Sequence, residues 1–332
     1  MKGRKSAVGT LTVLALLLFA LPLQATAAET LVPMGCTVGI ELETDGVMVA
    51  GFSEIETETG VRSPAAEAGM KTGDVLTAVG GRRTDDTQSL LSALSALDGS
   101  EVAVTARRGG NELLFRVTPA KNSDGRWQLG LWLREGVSGI GTVTYYDPES
   151  HCFGALGHGI SDLESGKLLP FDGGTITDAA VVDVVKGAPG APGELCGQPD
   201  PERILGALEK NTGCGIFGKA GFADAGTPVP VASPQEVRLG PASILATVDG
   251  SGVKEYSVEI SRIYRQPDEH RFLMLTVTDP ALLAQTGGIV QGMSGSPILQ
   301  DGKLIGAVTH VLLSDATRGY GIGIREMLDA AA

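Results

Sequence analysis

The sequence predicts a mainly β protein in two parts: a small α/β domain, then a larger all-β region built as a barrel or sandwich pair. Three observations predict it. Aromatic residues make up only 5% of the chain while glycines number 47, which favours many short strands and turns over long helices. Residues 37–120 mix short apolar strands with two helical stretches, whereas from Asp124 onward short alternating runs are separated by Gly-rich turns. The length, 332 residues, allows two domains and a short extra segment.

The first 28 residues form that segment. Lys2, Arg4 and Lys5 precede an apolar run over 11–23 and a small-residue site, Ala25-Thr26-Ala27. This is the pattern of an export signal, either cleaved or kept as an anchor; the run is short for a relaxed membrane span, which favours cleavage. The protein is therefore expected outside the cytoplasm, near the membrane through its signal or anchor. A net charge of −13 argues against nonspecific binding to nucleic acid or anionic lipid, both of which need a basic patch. Cys36, Cys152, Cys196 and Cys214 lack metal-type spacing, and His158 with Asp162 lacks the HExxH pattern, so neither a metal nor another cofactor is expected. Export permits disulfides. Cys196 and Cys214 are the pair a bridge would join, and small buried thiols are the simpler alternative.

Within 31–122, TVGIEL and GVMVAGF read as strands. Pro64 opens a short helix that Gly69 closes, and Gly73-Asp74 turns the chain into the strand VLTAV. Leu90, Leu91, Leu94 and Leu97 share one face of a second helix, ended by Gly99. EVAVTARR and ELLFRVTP pair around Gly109, Gly110 and Asn111. This order, and SPAAEAGMKTGDVLTAVGG in particular, resembles PDZ domains of the bacterial protease-associated type. The resemblance implies a groove that receives a peptide as an added strand. The loop before or within 37–42 would hold the peptide end, and 90–97 would border the groove. A PDZ fold that only packs against its neighbour is the simpler alternative.

Residues 123–332 are expected as the second domain. RWQLGLWLRE places Trp127, Leu129, Leu131 and Leu133 on one face, most simply a core face. SGIGTVTYY and CFGALGH form a hairpin around DPES. The Gly- and Pro-rich stretch 185–201 reads as a surface loop, after which Asp200 caps a short helix starting at Pro201. SILATV and KEYSVEIS are joined by DGSG, and PILQ and KLIGAVTHV flank an Asp-Gly pair.

Directly before that last hairpin stands Gly292-Met293-Ser294-Gly295-Ser296-Pro297. A nucleophilic serine must protrude from a tight turn, with backbone N–H groups beside it aimed at the oxyanion. Gly292 and Gly295 allow positive φ and close approach of substrate, and Pro297 fixes the exit. Ser294 is the candidate nucleophile, with the N–H groups of Gly292 and Ser294 as oxyanion donors; Ser296, beside Pro297, reads as a wall residue. The base must be one of four histidines. His158 lies at a strand end where a Gly-rich loop begins. His310 lies on the strand after the serine turn, as a packing or supporting residue, and His151 and His270 occupy ordinary polar surface stretches. His158 early and Ser294 late match the order of chymotrypsin-like double barrels. The acid that orients the imidazole is Asp162, Asp178, Asp183 or Asp279, and spacing does not choose among them.

Longer stretches carry a second resemblance: VPMGCTVGIELETDGVMVAGF, QLGLWLREGVSGIGTVTYYDPES, FGALGHGISD, KNTGCGIFGK and TVTDPALLAQTGGIVQGMSGSPILQDGKLIGAVTHV. Together they resemble the SpoIVB family of sporulation serine peptidases. That resemblance implies a PDZ domain followed by a chymotrypsin-like double β-barrel peptidase domain, and a triad falling on His158, Asp279 and Ser294. It implies export into the space between forespore and mother-cell membranes. There the enzyme would cut itself and then a membrane-bound regulator of an intramembrane protease, releasing processing of a late sigma-factor precursor, with the PDZ groove presenting these protein substrates. The alternatives are a PDZ scaffold with an inactive barrel, and a quality-control protease of the HtrA sort, which usually carries its PDZ domain after the peptidase.

Overall fold

In the two barrels each strand finds an antiparallel partner on both sides, so those sheets close on themselves, whereas the small domain keeps an open sheet. The computed structural model describes residues 29–44, 46–134, 136–162, 166–223, 226–264 and 271–332; the expected export signal and His270 lie outside them. The first barrel begins with β1 (Thr37–Glu43), and the chain then leaves it. Next come β2 (Val47–Phe52), α1 (Pro64–Glu67), β3 (Val75–Val79), α2 (Thr87–Ser95), β4 (Val102–Arg108), β5 (Asn111–Val117) and β6 (Leu131–Arg134). Their strands form a separate sheet in the order β6-β2-β3-β4-β5.

The chain returns as β7 (Val137–Tyr146) and adds β8 (Cys152–Ala155), β9 (Gly173–Val185), β10 (Glu194–Thr212) and β11 (Gly215–Ala220). Pairing runs β1-β7-β8-β11-β10-β9 and back to β1, a closed barrel. The second barrel uses β12 (Gly240–Ala246), β13 (Lys254–Ile263), β14 (Leu273–Val277), β15 (Pro297–Gln300), β16 (Lys303–Leu312) and β17 (Asp315–Gly323). It closes in the order β12-β13-β14-β17-β16-β15, with α3 (Pro280–Thr286) between β14 and β15 and α4 (Ile324–Ala331) at the end. Lettered A to F along the chain, the strands of both barrels read A-B-C-F-E-D. One architecture is used twice, as a double barrel.

The small domain is an insertion between the first two strands of barrel one, not a unit that ends at residue 122 before the barrels begin. Thr37–Glu43, expected to hold a peptide end, is hydrogen-bonded to β7 on one side and β9 on the other, so it offers no edge. QLGLWL, expected in the second domain, closes the small sheet instead: β6 pairs with β2, and Leu129, Leu131 and Leu133 pack with Leu76, Leu90 and Val104. The alternation along that stretch was legible. A one-faced strand does not reveal which core it covers.

Two smaller expectations also change. Leu91 is 58% exposed, while Leu90 is fully buried under the same helix. The loop at 185–201 is confined to residues 186–193, and its remainder with the helix at Pro201 gives way to β10, whose residues 201–203 bulge where the register with β9 shifts between Thr177 and Asp178. All four cysteines are free thiols, the simpler of the two readings the sequence allowed. Inside the insertion, the buried carboxylate of Asp74 receives Nε and Nη2 of Arg108 at 2.6 and 2.7 Å, which ties the Gly73-Asp74 turn to β4. Where the insertion meets barrel one, Leu42, Met48, Val75 and Leu169 form a shared apolar cluster, with Val137, Ile160 and Phe171 against it.

Candidate active site

The turn carrying Ser294 lies in the C–D connection of barrel two and is held by barrel one. Thr142 Oγ1 donates to Gly292 O at 2.8 Å, Thr142 N to Ser294 O at 3.1 Å, and Thr144 Oγ1 to Gly295 O at 2.7 Å. Both threonines lie on β7 and are buried. With these carbonyls turned toward β7, the N–H groups divide in two. Those of Met293, Gly295 and Ser296 donate to Val290 O, Val308 O and Met293 O. Those of Gly292 and Ser294 donate to no protein acceptor among the described residues. These are the two expected oxyanion donors.

Gly295 makes this docking possible. Its φ is +96°, and a Cβ there would stand 2.0 Å from Thr142 O and 2.6 Å from Leu156 N. Any side chain would force the barrels apart at the turn. Ser296, the competing hydroxyl, is fully buried, and its Oγ has no hydrogen-bond partner. It is a wall residue.

His158 arrives from the other barrel, in its own C–D connection. After β8 the backbone takes two left-handed steps, Leu156 at φ +68° and Gly157 at φ +70°. Such a φ on leucine is uncommon and costs on the order of 1–3 kcal/mol. Leu156 N is held by Thr142 O at 3.1 Å, the strand that also holds the serine turn. The position of a Gly157 Cβ lies 3.0 Å from Thr309 Cγ2, so this bend packs on β16. Ser294 Oγ donates to Thr309 O at 2.6 Å, and the next residue, His310, sets its ring 4.9 Å from that of His158, centroid to centroid. Ser294 and His158 thus converge on two consecutive residues of one strand, across the barrel interface.

His158 Nδ1 bonds to Gly159 O at 3.0 Å. A carbonyl can only accept, so Nδ1 carries the proton and Nε2 keeps the lone pair a base needs. Burial pushes His158 below the ordinary imidazole value, partly opposed by that hydrogen bond. His310 keeps a solvent-exposed side, yet burial of the rest of its ring, with His158 and Arg271 nearby, pulls it down to about 4. Both imidazoles are neutral near pH 7.

The acid is where the structure departs from expectation. Asp279 is the N-cap of α3: Oδ1 accepts the N–H of Ala281 and of Leu282 at 2.9 and 3.0 Å, and Oδ2 that of Ser257 at 3.3 Å. Backbone N–H groups, Leu282 foremost, hold its carboxyl below the usual range, and no bond links it to His158. Asp279-Pro280 is a helix start, and the left-handed Gly287 is its stop. Asp178 pairs with Arg203 at 2.5 Å, Asp183 accepts from Val184 N, and the buried Asp162 lies against Gly73 of the insertion. Among the described residues no carboxylate meets His158. His151 is also structural, its Nδ1 2.8 Å from the hydroxyl of Tyr146.

A serine on a tight turn, two open N–H groups beside it and an imidazole of the other barrel packed on the same strand, in twin six-stranded barrels, are the features of a serine peptidase of the double-barrel class. A family model described as SpoIVB peptidase S55 matches residues 125–328, and the chain belongs to that family; a PDZ model matches residues 58–108. Among curated proteins, the chain is similar to one named as a zinc metalloprotease, LL2128, of Lactococcus lactis, at 35% identity over 69 residues. It is similar at 34% over 73 residues to another so named from Xylella fastidiosa. Each match covers 21% of this chain and only 16% of the relative. Among solved structures, the active form of the Rv3671c protease of M. tuberculosis matches at 15% identity and a TM-score of 0.33, covering 59% of this chain and 73% of that one. Human heparin binding protein matches at 12% and 0.27, covering 54% and 74%.

Proposed function

We propose that the protein is an exported serine endopeptidase of sporulation signalling, with Ser294 as nucleophile and His158 as its base. The observation that carries this reading is the turn at 292–296. Its carbonyls are tied to barrel one, two N–H groups stand open beside the hydroxyl, and His158 faces the same strand. In this reading the Ser294 hydroxyl leaves Thr309 O and gives its proton to Nε2 of His158. As Oγ attacks the substrate carbonyl, the π pair moves onto oxygen, where the N–H groups of Gly292 and Ser294 receive it. His158 returns the proton to the leaving amine, and water repeats the sequence to free the acid. Family membership supports the substrates: the chain itself, then a membrane-bound regulator of an intramembrane protease.

The insertion would present them. β6 is the outer strand of its sheet, and an extended peptide would add along its free edge, with Leu131, Leu133, Leu94 and Leu97 as apolar neighbours. The test follows the purified chain and Ser294→Ala for self-cleavage and for labelling by a fluorophosphonate. The native chain is expected to do both and the variant neither. Self-cleavage by Ser294→Ala would refute the reading, and partner capture by an unlabelled native chain would favour an inactive barrel.

A further inference from the structure

We propose that Asn211 is the positioning residue for His158, acting through the single peptide group that joins Gly159 to Ile160. The inference rests on His158 being the base for Ser294. The carbonyl of that peptide accepts His158 Nδ1–H at 3.0 Å, and its N–H donates to Asn211 Oδ1 at 2.9 Å. In a trans peptide the C=O and N–H leave from opposite edges, so the ring and the amide face each other across it. The donors line up in one direction, imidazole to peptide to carboxamide, and each bond polarises the next.

Asn211 is locked in the orientation this requires. Its Nδ2 donates to Ile160 O at 2.9 Å and to Leu169 O at 3.3 Å. A flipped amide would set NH2 against N–H and oxygen against two carbonyls. The residue sits one position from the end of β10, paired with Ile216, just before the turn into β11. Gly159 lets the loop press onto that turn: a Cβ there would lie 2.4 Å from Thr212 O. The side chain therefore joins a rigid strand end to the peptide next to His158.

This arrangement does what an orienting carboxylate does, without its charge. It fixes the ring and the Nδ1–H tautomer, and it sets a polarised carbonyl against the positive charge His158 gains on taking the serine proton. None of the four candidate aspartates bonds to His158 among the described residues, and Asp178, Asp183 and Asp279 have partners of their own. The imidazole should accordingly respond to whatever stands at position 211.

The experiment uses the full chain carrying Ser294→Ala, labelled with 15N at histidine, and reads the tautomer and pKa of His158 by long-range 15N–1H NMR. The neutral ring is expected to bear its proton on Nδ1. Asn211→Asp keeps an acceptor for Ile160 N–H, loses the donor to Ile160 O and Leu169 O, and adds a charge, so it should lower Tm while the His158 pKa rises by about half a unit to one unit. Asn211→Ala removes the acceptor, so the pKa should fall and the tautomers should mix. With Ser294 restored, the acid limb of kcat/KM should move in those same two directions, and Asn211→Ala should lower kcat about 10- to 100-fold with KM little changed. A merely structural role would lower stability without opposite pKa shifts. A dominant Nε2–H tautomer in the Ser294→Ala chain, or a His158 pKa unmoved by Asn211→Asp, overturns the proposal. Should Asn211→Ala fail to fold, those two readings still decide. A native chain that resists fluorophosphonate would sink the peptidase reading instead, while the NMR still reports on Asn211.

Discussion

Asp279 can be interrogated with two substitutions that a triad acid and a helix cap answer differently. Asparagine caps helices as well as aspartate does, whereas alanine costs about 1 kcal/mol. As a triad acid, Asp279→Asn would lower kcat by roughly 10⁴. As the cap seen in the structure, it should leave kcat within about threefold, with Asp279→Ala lowering Tm; self-cleavage rates and thermal melts of both variants separate the cases. The helix was legible in Asp279-Pro280 and Gly287 at its two ends, but the family pattern drew attention to the charge and away from the cap. The histidines add a pH dependence. As the proposed base, His158 would act in its neutral form, and burial lowers its pKa, so that form persists as pH falls past the ordinary value of about 6.5. The acid limb of kcat/KM should therefore lie below 6.5. Unfolding restores ordinary values, so the unfolded chain binds more protons below about 6.5. Stability from this source is complete above that pH and is lost as pH falls through the folded values, about 4 for His310. Tm measured from pH 8 to 4 should decline in that window.

Among elements, β7 is the one that makes a peptidase from two barrels. Thr142 alone receives Leu156 N ahead of His158, donates its own N–H to Ser294 O and caps Gly292 O with its hydroxyl. Thr142→Val preserves shape and removes only the last contact, which should cost about 1 kcal/mol and loosen the oxyanion side of the turn. Gly295→Ala is harsher, since its methyl group would meet Thr142 O at 2.0 Å. Fluorophosphonate labelling should slow modestly in the first variant and by at least ~100-fold in the second. Labelling of Gly295→Ala at the native rate would mean that the barrels need not meet there. The serine turn was readable because glycines and proline around a hydroxyl are a local signal. The threonines were not, because TVTYY has the composition of any half-buried strand and its partners lie about 150 positions away.

At the scale of the whole molecule, the insertion of the small domain into barrel one is the feature least visible in the sequence, because strand runs carry no record of which sheet they close. It has a mechanical consequence. Leu42 and Val137 are cross-strand partners, so β1 and β7 are already adjacent where the chain leaves and re-enters the barrel. Residues between them can be replaced by a two-residue Asn-Gly turn without straining the pair. Barrel pairing would survive, but Leu42 and Leu169 would lose Met48 and Val75, and so would Ile160, two residues beyond His158. Exposing that cluster costs about 25 cal/mol for each Å2 of apolar surface returned to water, and it frees the loop that carries the base. The excised protein should keep its β circular dichroism, melt several degrees lower and label with fluorophosphonate at least ~10-fold more slowly. Native labelling kinetics in the excised protein would show instead that the domain is a detachable adaptor and that barrel one alone holds His158 in place.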